Sequence, residues 1–166
     1  MPAAVTVLVY SKNDKSIILL HKRTDKVEHH KGEISFPGGV KDPDDADFMA
    51  TALRETYEEM GISPADIKIL GQLDDVTTRT NFVIKPFVGT IPYPYTFNVN
   101  IDEVAEVIEI PLEELLKPAN IREEALLTPD GQTIRAYAYA YNAHLVYGAT
   151  AAIVTQLIEI IRGEWR

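Results

Sequence analysis

Apolar and polar positions along this chain switch between two spacings, and the switches mark its elements. Residues 5–10 and 17–20 are β-branched or apolar runs separated by the polar segment Ser11-Lys12-Asn13-Asp14-Lys15, a pattern that predicts a β-hairpin. Between residues 46 and 60 the spacing becomes helical: Phe48 or Met49, Ala52, Leu53, Thr56, Tyr57 and Met60 recur at steps of three and four. That stripe predicts core packing, with the carboxylates of the same helix on a neighbouring face. Residues 22–33 are polar and read as loop. Residues 67–73, 82–91 and 106–111 read as further strands, with residues 74–81 and 92–100 as loops. A hairpin is predicted within residues 119–138, around the turn signal Pro129-Asp130-Gly131. Residues 149–162 close the chain as an amphipathic helix whose buried stripe is Ile153, Leu157 and Ile160 or Ile161. No internal repeat, low-complexity tract or linker interrupts this order, and periodicity alone predicts a mixed α/β fold.

Composition narrows the class. The 166 residues suit one domain, residues 1–166, with a substantial core. No apolar run reaches the roughly 18 residues of a membrane span, and no signal-peptide pattern opens the chain, so a soluble, cytoplasmic protein without membrane partners is expected. The absence of cysteine excludes disulfides, thiolate zinc sites and cysteine nucleophiles. The net charge is −9, from 25 acidic and 16 basic residues, and no basic stripe is interleaved with aromatics. Such a surface repels long nucleic acids, whereas a small phosphorylated ligand needs only local cations or a metal.

The densest chemistry lies in Arg54-Glu55-Thr56-Tyr57-Glu58-Glu59-Met60-Gly61-Ile62, preceded by Phe36-Pro37-Gly38-Gly39. On a helix Glu55, Glu58 and Glu59 fall at i, i+3 and i+4 and share one face within a turn. Like charges at that spacing destabilise a helix by a few tenths of a kcal/mol per pair, and Arg54 is the only adjacent cation. A bound divalent cation would compensate them; a solvated acidic face is the alternative. Gly38 and Gly39 let the backbone pass close to a ligand or metal, and Gly61 suits a left-handed C-cap. With oxygen ligands and no thiolates, a hard cation such as Mg²⁺ or Mn²⁺ fits best. His29 and His30, in the polar loop, are candidates to touch substrate or are simply solvated.

This segment resembles the Nudix box, G-x5-E-x7-R-E-U-x-E-E-x-G-U, in which U is a bulky apolar residue. Gly39, Arg54, Glu55, Glu58, Glu59, Gly61 and Ile62 match in place. The interval from Gly39 to Arg54 is one residue longer, Asp45 stands for the first glutamate, and Thr56 occupies the U position. An upstream stretch is similar to the signature of coenzyme A pyrophosphatases within the superfamily, L-L-T-x-R-[SA]-x3-R-x3-G-x3-F-P-G-G. Leu19, Leu20, Arg23, Gly32 and Phe36 to Gly39 match it, whereas His21 stands for Thr, Thr24 for Ser or Ala, and Glu28 for the second Arg. Downstream, Thr51 to Glu55, Leu73-Asp74-Asp75, Pro86 to Gly89, Asp102 to Val107, Pro111-Leu112 and Tyr147 to Ala151 also look like that subgroup, so the resemblance runs from about residue 4 to about residue 162.

The resemblance implies an α/β/α sandwich around a mixed β-sheet and hydrolysis of a P–O–P bridge with Mg²⁺ or Mn²⁺ as cofactor. It implies metal ligands from Glu55, Glu58, Glu59 and the Gly39 carbonyl; Arg54 either fixes a carboxylate rotamer, which the resemblance favours, or contacts phosphate directly. Glu103, and after it Glu106, is the expected distal carboxylate that acts as base or extra ligand. Arg23, Ser35, Gly38 and Gly39 are expected at the substrate, with Lys31 beside them. Thr77, Arg79, Thr80 and Asn81 form a polar loop able to touch a base or sugar. Coenzyme A would yield 3′,5′-ADP and 4′-phosphopantetheine. Glu28 reverses a charge where the subgroup meets an anionic substrate, which keeps ADP-ribose, dinucleotides and nucleoside triphosphates as alternatives. A catalytically silent nucleotide-binding module is the alternative from another class; homodimers are common among Nudix enzymes, which offers a homodimer by analogy only, and the sequence does not decide the assembly.

Overall fold

A computed structural model describes residues 1–26, 32–78, 81–127 and 131–163. Strands β1 (Pro2–Lys12) and β2 (Lys15–Arg23) pair antiparallel with Lys12 opposite Lys15, so both outrun the apolar stretches that predicted them. The cause is the turn. Asn13 and Asp14 both have positive φ, 51° and 60°, as in the two-residue turn whose twist matches the strands it joins. Ser11, Lys12 and Lys15 are therefore strand residues. Both faces of β1 are buried, which explains a continuous apolar run in place of alternation. Val5 and Val7 join the core with Ile18, Leu20, Val154 and Leu157, whereas Leu8 and Tyr10 join Ile17, Leu19, Met60 and Ile62 on the opposite face.

Around this hairpin the sheet is mixed. β1 runs parallel to β7 (Val83–Thr90) and antiparallel to β4 (Gly38–Val40). β3 (Ile34–Ser35) and β8 (Val104–Pro111) pair with β2, while β5 (Lys68–Gln72) and β6 (Val76–Thr77) pair with β7. β6 thus falls inside residues 74–81, expected as loop, and β8 begins two residues early, past an irregularity at Lys22/Arg23. A second sheet holds β9 (Ile121–Leu127), β10 (Thr133–Tyr141) and β11 (His144–Val146). Leu127 faces Thr133, so the expected hairpin forms, although Pro129 and Asp130 lie outside the described residues. β11 was not anticipated; its three residues are too short for a periodic signal.

Helix α1 (Phe48–Met60) packs on β1 and β4, and α3 (Gly148–Arg162) packs on β10 and β6. The layers make the expected α/β/α sandwich, with the short α2 (Leu112–Leu115) beside β2 and β8. α1 starts at Phe48 because Asp47 caps it, its Oδ1 accepting from the Ala50 N–H at 2.8 Å. Its buried face also differs from the expected stripe. Met49 and Tyr57 are exposed, at 38% and 56%, whereas Glu59 is only 1% exposed. In α3 the buried residues are Ala151, Ile153, Val154, Leu157 and Ile158; Ile160 and Ile161 lie outside the core cluster, in a last turn that Gly163 ends at φ 71°.

Thr56, small and polar where the box has a bulky residue, has a partner that accounts for it. Thr6 on β1 and Thr56 on α1 are both fully buried, their hydroxyls 2.8 Å apart. Each also reaches the Ala52 carbonyl, at 3.0 Å from Thr6 and 2.7 Å from Thr56. The helix is joined to the central strand by hydroxyls in place of an apolar contact. Thr6→Val and Thr56→Val should each cost about 1 kcal/mol in denaturant unfolding, and the double variant should cost less than the two summed, since replacing both partners leaves no stranded hydroxyl.

Candidate active site

The C-terminal turn of α1 is built to hold one buried carboxylate. Gly61 caps it at φ 68°, donating its N–H to the Tyr57 carbonyl, and a Cβ there would lie 2.6 Å from Asn98. The N–H groups of Asn98 and Asn100 reach the otherwise unpaired carbonyls of Met60 and Glu59, at 3.1 and 2.9 Å. The Glu59 side chain then points inward. Its Oε2 accepts from the Gly38 N–H at 2.9 Å and its Oε1 from Arg23 Nη1 at 3.2 Å, while His21 Nε2 stands 3.6 Å from Oε2. Gly38 can aim its N–H this way because it lies against β1, where a Cβ would sit 2.3 Å from the Ala4 carbonyl oxygen. Burial pushes the Glu59 carboxyl up to about 8; the Gly38 N–H and Arg23 oppose the shift, and Glu55 and Glu103 add to it.

Arg54 gathers the other carboxylates. Its guanidinium donates to Asp45 at 2.9 and 3.0 Å, to Glu55 at 2.9 Å and to Glu58 at 3.0 Å. Asp45 also accepts from the Thr51 hydroxyl and the Asp42 N–H, and its hydrogen bonds to Arg54 hold it well below the usual carboxylate range. Burial raises the Glu55 carboxyl, against the pull of Arg54, and the charges of Glu58 and Glu103 raise it further. The acidic helix therefore has two guanidinium partners, Arg54 within it and Arg23 from β2, where the sequence offered one neighbour. Gly39 carries no Cβ because one would lie 2.5 Å from the Glu55 carboxylate. The glycine pair leaves room for a strand and for a carboxylate.

Glu103 reaches the same region by a different route. Asn100 donates from Nδ2 to its carboxylate at 3.0 Å, and the Thr24 N–H donates to its carbonyl at 2.9 Å, so the turn before β8 is tied to both α1 and β2. Glu106 is placed elsewhere, beside His144 Nε2 at 3.1 Å. Arg23 flanks Glu59 with its Nε buried and without a hydrogen-bond partner. The Ser35 hydroxyl lies 3.0 Å from His21 Nε2. Thr77 belongs to β6, and Asn81 sits in the turn before β7, its carbonyl accepting from the Met1 amino group. Glu28, His29, His30, Lys31, Arg79 and Thr80 lie outside the described residues. A cavity of ≈ 400 Å³ adjoins α1, lined by Tyr57, Glu58, Gly61, Asn98, Val99 and Asn100. Among the described residues no three carboxylate or imidazole groups are gathered at metal-holding geometry, since each glutamate of the helix is engaged with an arginine. The donor set nevertheless suits a hard divalent cation: carboxylate oxygens on one helical turn, with the Gly39 backbone against one of them.

Two residues of this site had weaker signals. His21 is polar on the strand face that Ile17 and Leu19 bury, an alternation that singles it out once β2 is extended. Asn100, at the end of a polar loop, carried none.

A model of the NUDIX domain matches residues 1–130. The chain belongs to the Nudix family. Among its relatives, the Nudix hydrolase NudL of Photorhabdus laumondii is 36% identical over 160 residues, spanning 96% of this chain and 84% of the relative. NudL of Yersinia enterocolitica is 35% identical over 157 residues, spanning 95% and 80%. Among solved structures, the Nudix hydrolase RenU of M. smegmatis superposes with a TM-score of 0.66 at 15% identity, over 98% of this chain and 86% of that one. The NUDIX domain of Shewanella oneidensis NrtR, complexed with ADP ribose, gives 0.63 at 18%, over 97% and 88%. The protein is thus a Nudix hydrolase, of a family that needs divalent metal ions and acts on small nucleotide-derived substrates. Among the described residues no helix is long and apolar enough to cross a membrane.

The buried pair of Glu59 and His21 makes stability depend on pH. Glu59 titrates near 8 in the folded protein against 4.5 for a free glutamate, so its contribution is complete below pH 4.5 and is lost as pH rises through 8. His21, lowered by burial and by the Arg23 charge to about 3 from 6.5, contributes fully above pH 6.5 and loses that contribution as pH falls through 3. Thermal melts in EDTA should therefore show wild type losing stability between pH 6.5 and 8, and Glu59→Gln should abolish that loss, widening its advantage toward pH 8. Asp45→Ala should lower stability by about 2 kcal/mol in the same assay, because it strips a charged, partly buried network of its acceptor.

Proposed function

We propose that this Nudix hydrolase is a Mg²⁺- or Mn²⁺-dependent diphosphatase, formed by residues 1–166 as one domain, whose substrate is coenzyme A or one of its derivatives. One observation carries the reading: Arg23, the basic residue at a matched position of the coenzyme A signature, lies against Glu59 at 3.2 Å with its side chain still 21% exposed. A cation so placed attracts a diphosphate oxygen to the acidic face of α1. Glu55, Glu58, Glu59 and the Gly39 carbonyl would hold the metal, which when bound neutralises diphosphate charge and acidifies water. Arg54 fixes the rotamers of Glu55 and Glu58, and Asp45 fixes Arg54. Glu103, oriented by Asn100, accepts the proton of the attacking water as one phosphorus–oxygen bond forms and the P–O–P bridge opens to 3′,5′-ADP and 4′-phosphopantetheine. The cavity beside Glu58 and Asn100 is large enough for part of a nucleotide-derived substrate.

A second reading, ADP-ribose or another nucleoside diphosphate derivative, is favoured by Glu28, which stands where the signature has Arg. Product analysis with Mg²⁺ or Mn²⁺ against coenzyme A, ADP-ribose, NADH and nucleoside triphosphates separates the two. Preferred cleavage of coenzyme A is expected; preference for another compound would move the assignment to the second reading. No metal-dependent cleavage of any of them would leave a nucleotide-binding module. In the same assay Glu55→Gln and Glu59→Gln should each lower kcat by about 100-fold or more, as loss of a metal ligand does.

A further inference from the structure

His21 is fully buried on β2, on the face where Ile17 and Leu19 are apolar core; its ring meets the Phe36 backbone, and its Nδ1 makes no hydrogen bond of good geometry. An imidazole in such a place costs free energy that a leucine of similar volume would not. Its other edge is engaged: Nε2 lies 3.0 Å from the Ser35 hydroxyl and 3.6 Å from Glu59 Oε2. Serine, histidine and glutamate in contact suggest a nucleophile triad, but the geometry excludes one. In a triad the carboxylate orients the imidazole through one nitrogen while the other takes the hydroxyl proton, whereas here hydroxyl and carboxylate crowd the same nitrogen. The ring instead closes a cage. Gly38 N–H holds one oxygen of Glu59, Arg23 holds the other, and the imidazole fills the space beside Oε2.

We propose that His21 is a positioning residue that fixes the Glu59 carboxylate for metal binding, with Ser35 setting the orientation of the ring. This rests on the assignment of Glu59 as a metal-holding group. Ser35 thereby acts through His21.

The test is Mn²⁺ affinity, measured by EPR titration on the full chain, with kcat and KM determined for whichever diphosphate the wild type cleaves. His21→Leu should weaken Mn²⁺ binding about 10-fold or more and lower kcat with KM within about twofold, because groups that orient metal ligands act at that scale. His21→Gln, whose amide places both a donor and an acceptor near the position of Nε2, should recover most of the loss, a rescue that simple packing would not give. A His21→Leu protein that melts cooperatively and binds Mn²⁺ as wild type does would overturn the proposal. Should His21→Leu not fold, nitrogen NMR of the wild-type ring decides: its Nε2 signal should move on adding Mg²⁺, and should not move in Glu59→Gln. An unmoved signal in wild type overturns the proposal. If wild type cleaves no diphosphate but His21→Leu still weakens Mn²⁺ binding, the proposed activity falls and the positioning role stands. A wild type that binds no Mn²⁺ overturns both.

Discussion

The structure turns on a carboxylate taken out of water. Glu59 is buried at the seam between α1 and the central hairpin, and each element around it is shaped to supply a partner. Gly38 brings a backbone N–H from β4, Arg23 a guanidinium from β2, and His21 an imidazole from the same strand two residues earlier. A buried charge without such partners costs several kcal/mol, so the seam closes only if all three elements meet in register. Gly38 is held there by its contact with β1, where no side chain fits. The pairing of β1 with β2, β4 and β7 therefore fixes both the sheet and the site.

Around that seam the negative charge of the helix is divided between two arginines. Arg54 serves Asp45, Glu55 and Glu58 on the open side, and Arg23 serves Glu59 on the buried side. A divalent cation entering this face would compete with guanidinium contacts for the same oxygens, which ties the side-chain arrangement to metal occupancy. Glu103 is the outlying member. It arrives on a separate turn, yet its charge adds to the raised carboxyls of Glu55 and Glu59, so it shares their field.

Much of this was legible in the sequence, for physical reasons that differ from element to element. The three glutamates, the arginine before them and the glycines on either side are local patterns, and local patterns survive folding. Strand β1 was readable because burial on both faces leaves an unbroken apolar run. The inward turn of Glu59 was not, because it depends on a rotation of α1 that trades Tyr57 and Met49 for Thr51 and Glu59, and the Thr6–Thr56 contact that favours it is separated by fifty residues in sequence. The role of Asn100 was hidden for the same reason: it is defined by partners on α1 and in the turn before β8. The ends of α3 show the limit of periodicity, since Ile160 and Ile161 continue an apolar stripe past the surface that could bury it.

Burial of Glu59 among neutralising partners is the claim on which fold and chemistry both depend, and its titration tests it most directly. In protein labelled with ¹³C at the glutamate carboxyls, with EDTA present, the Glu59 signal should titrate with a midpoint near 8, far from an exposed glutamate. A midpoint in the ordinary range near 4.5 would mean that the Arg23 and Gly38 contacts outweigh burial, and would contradict a carboxyl raised by its removal from water.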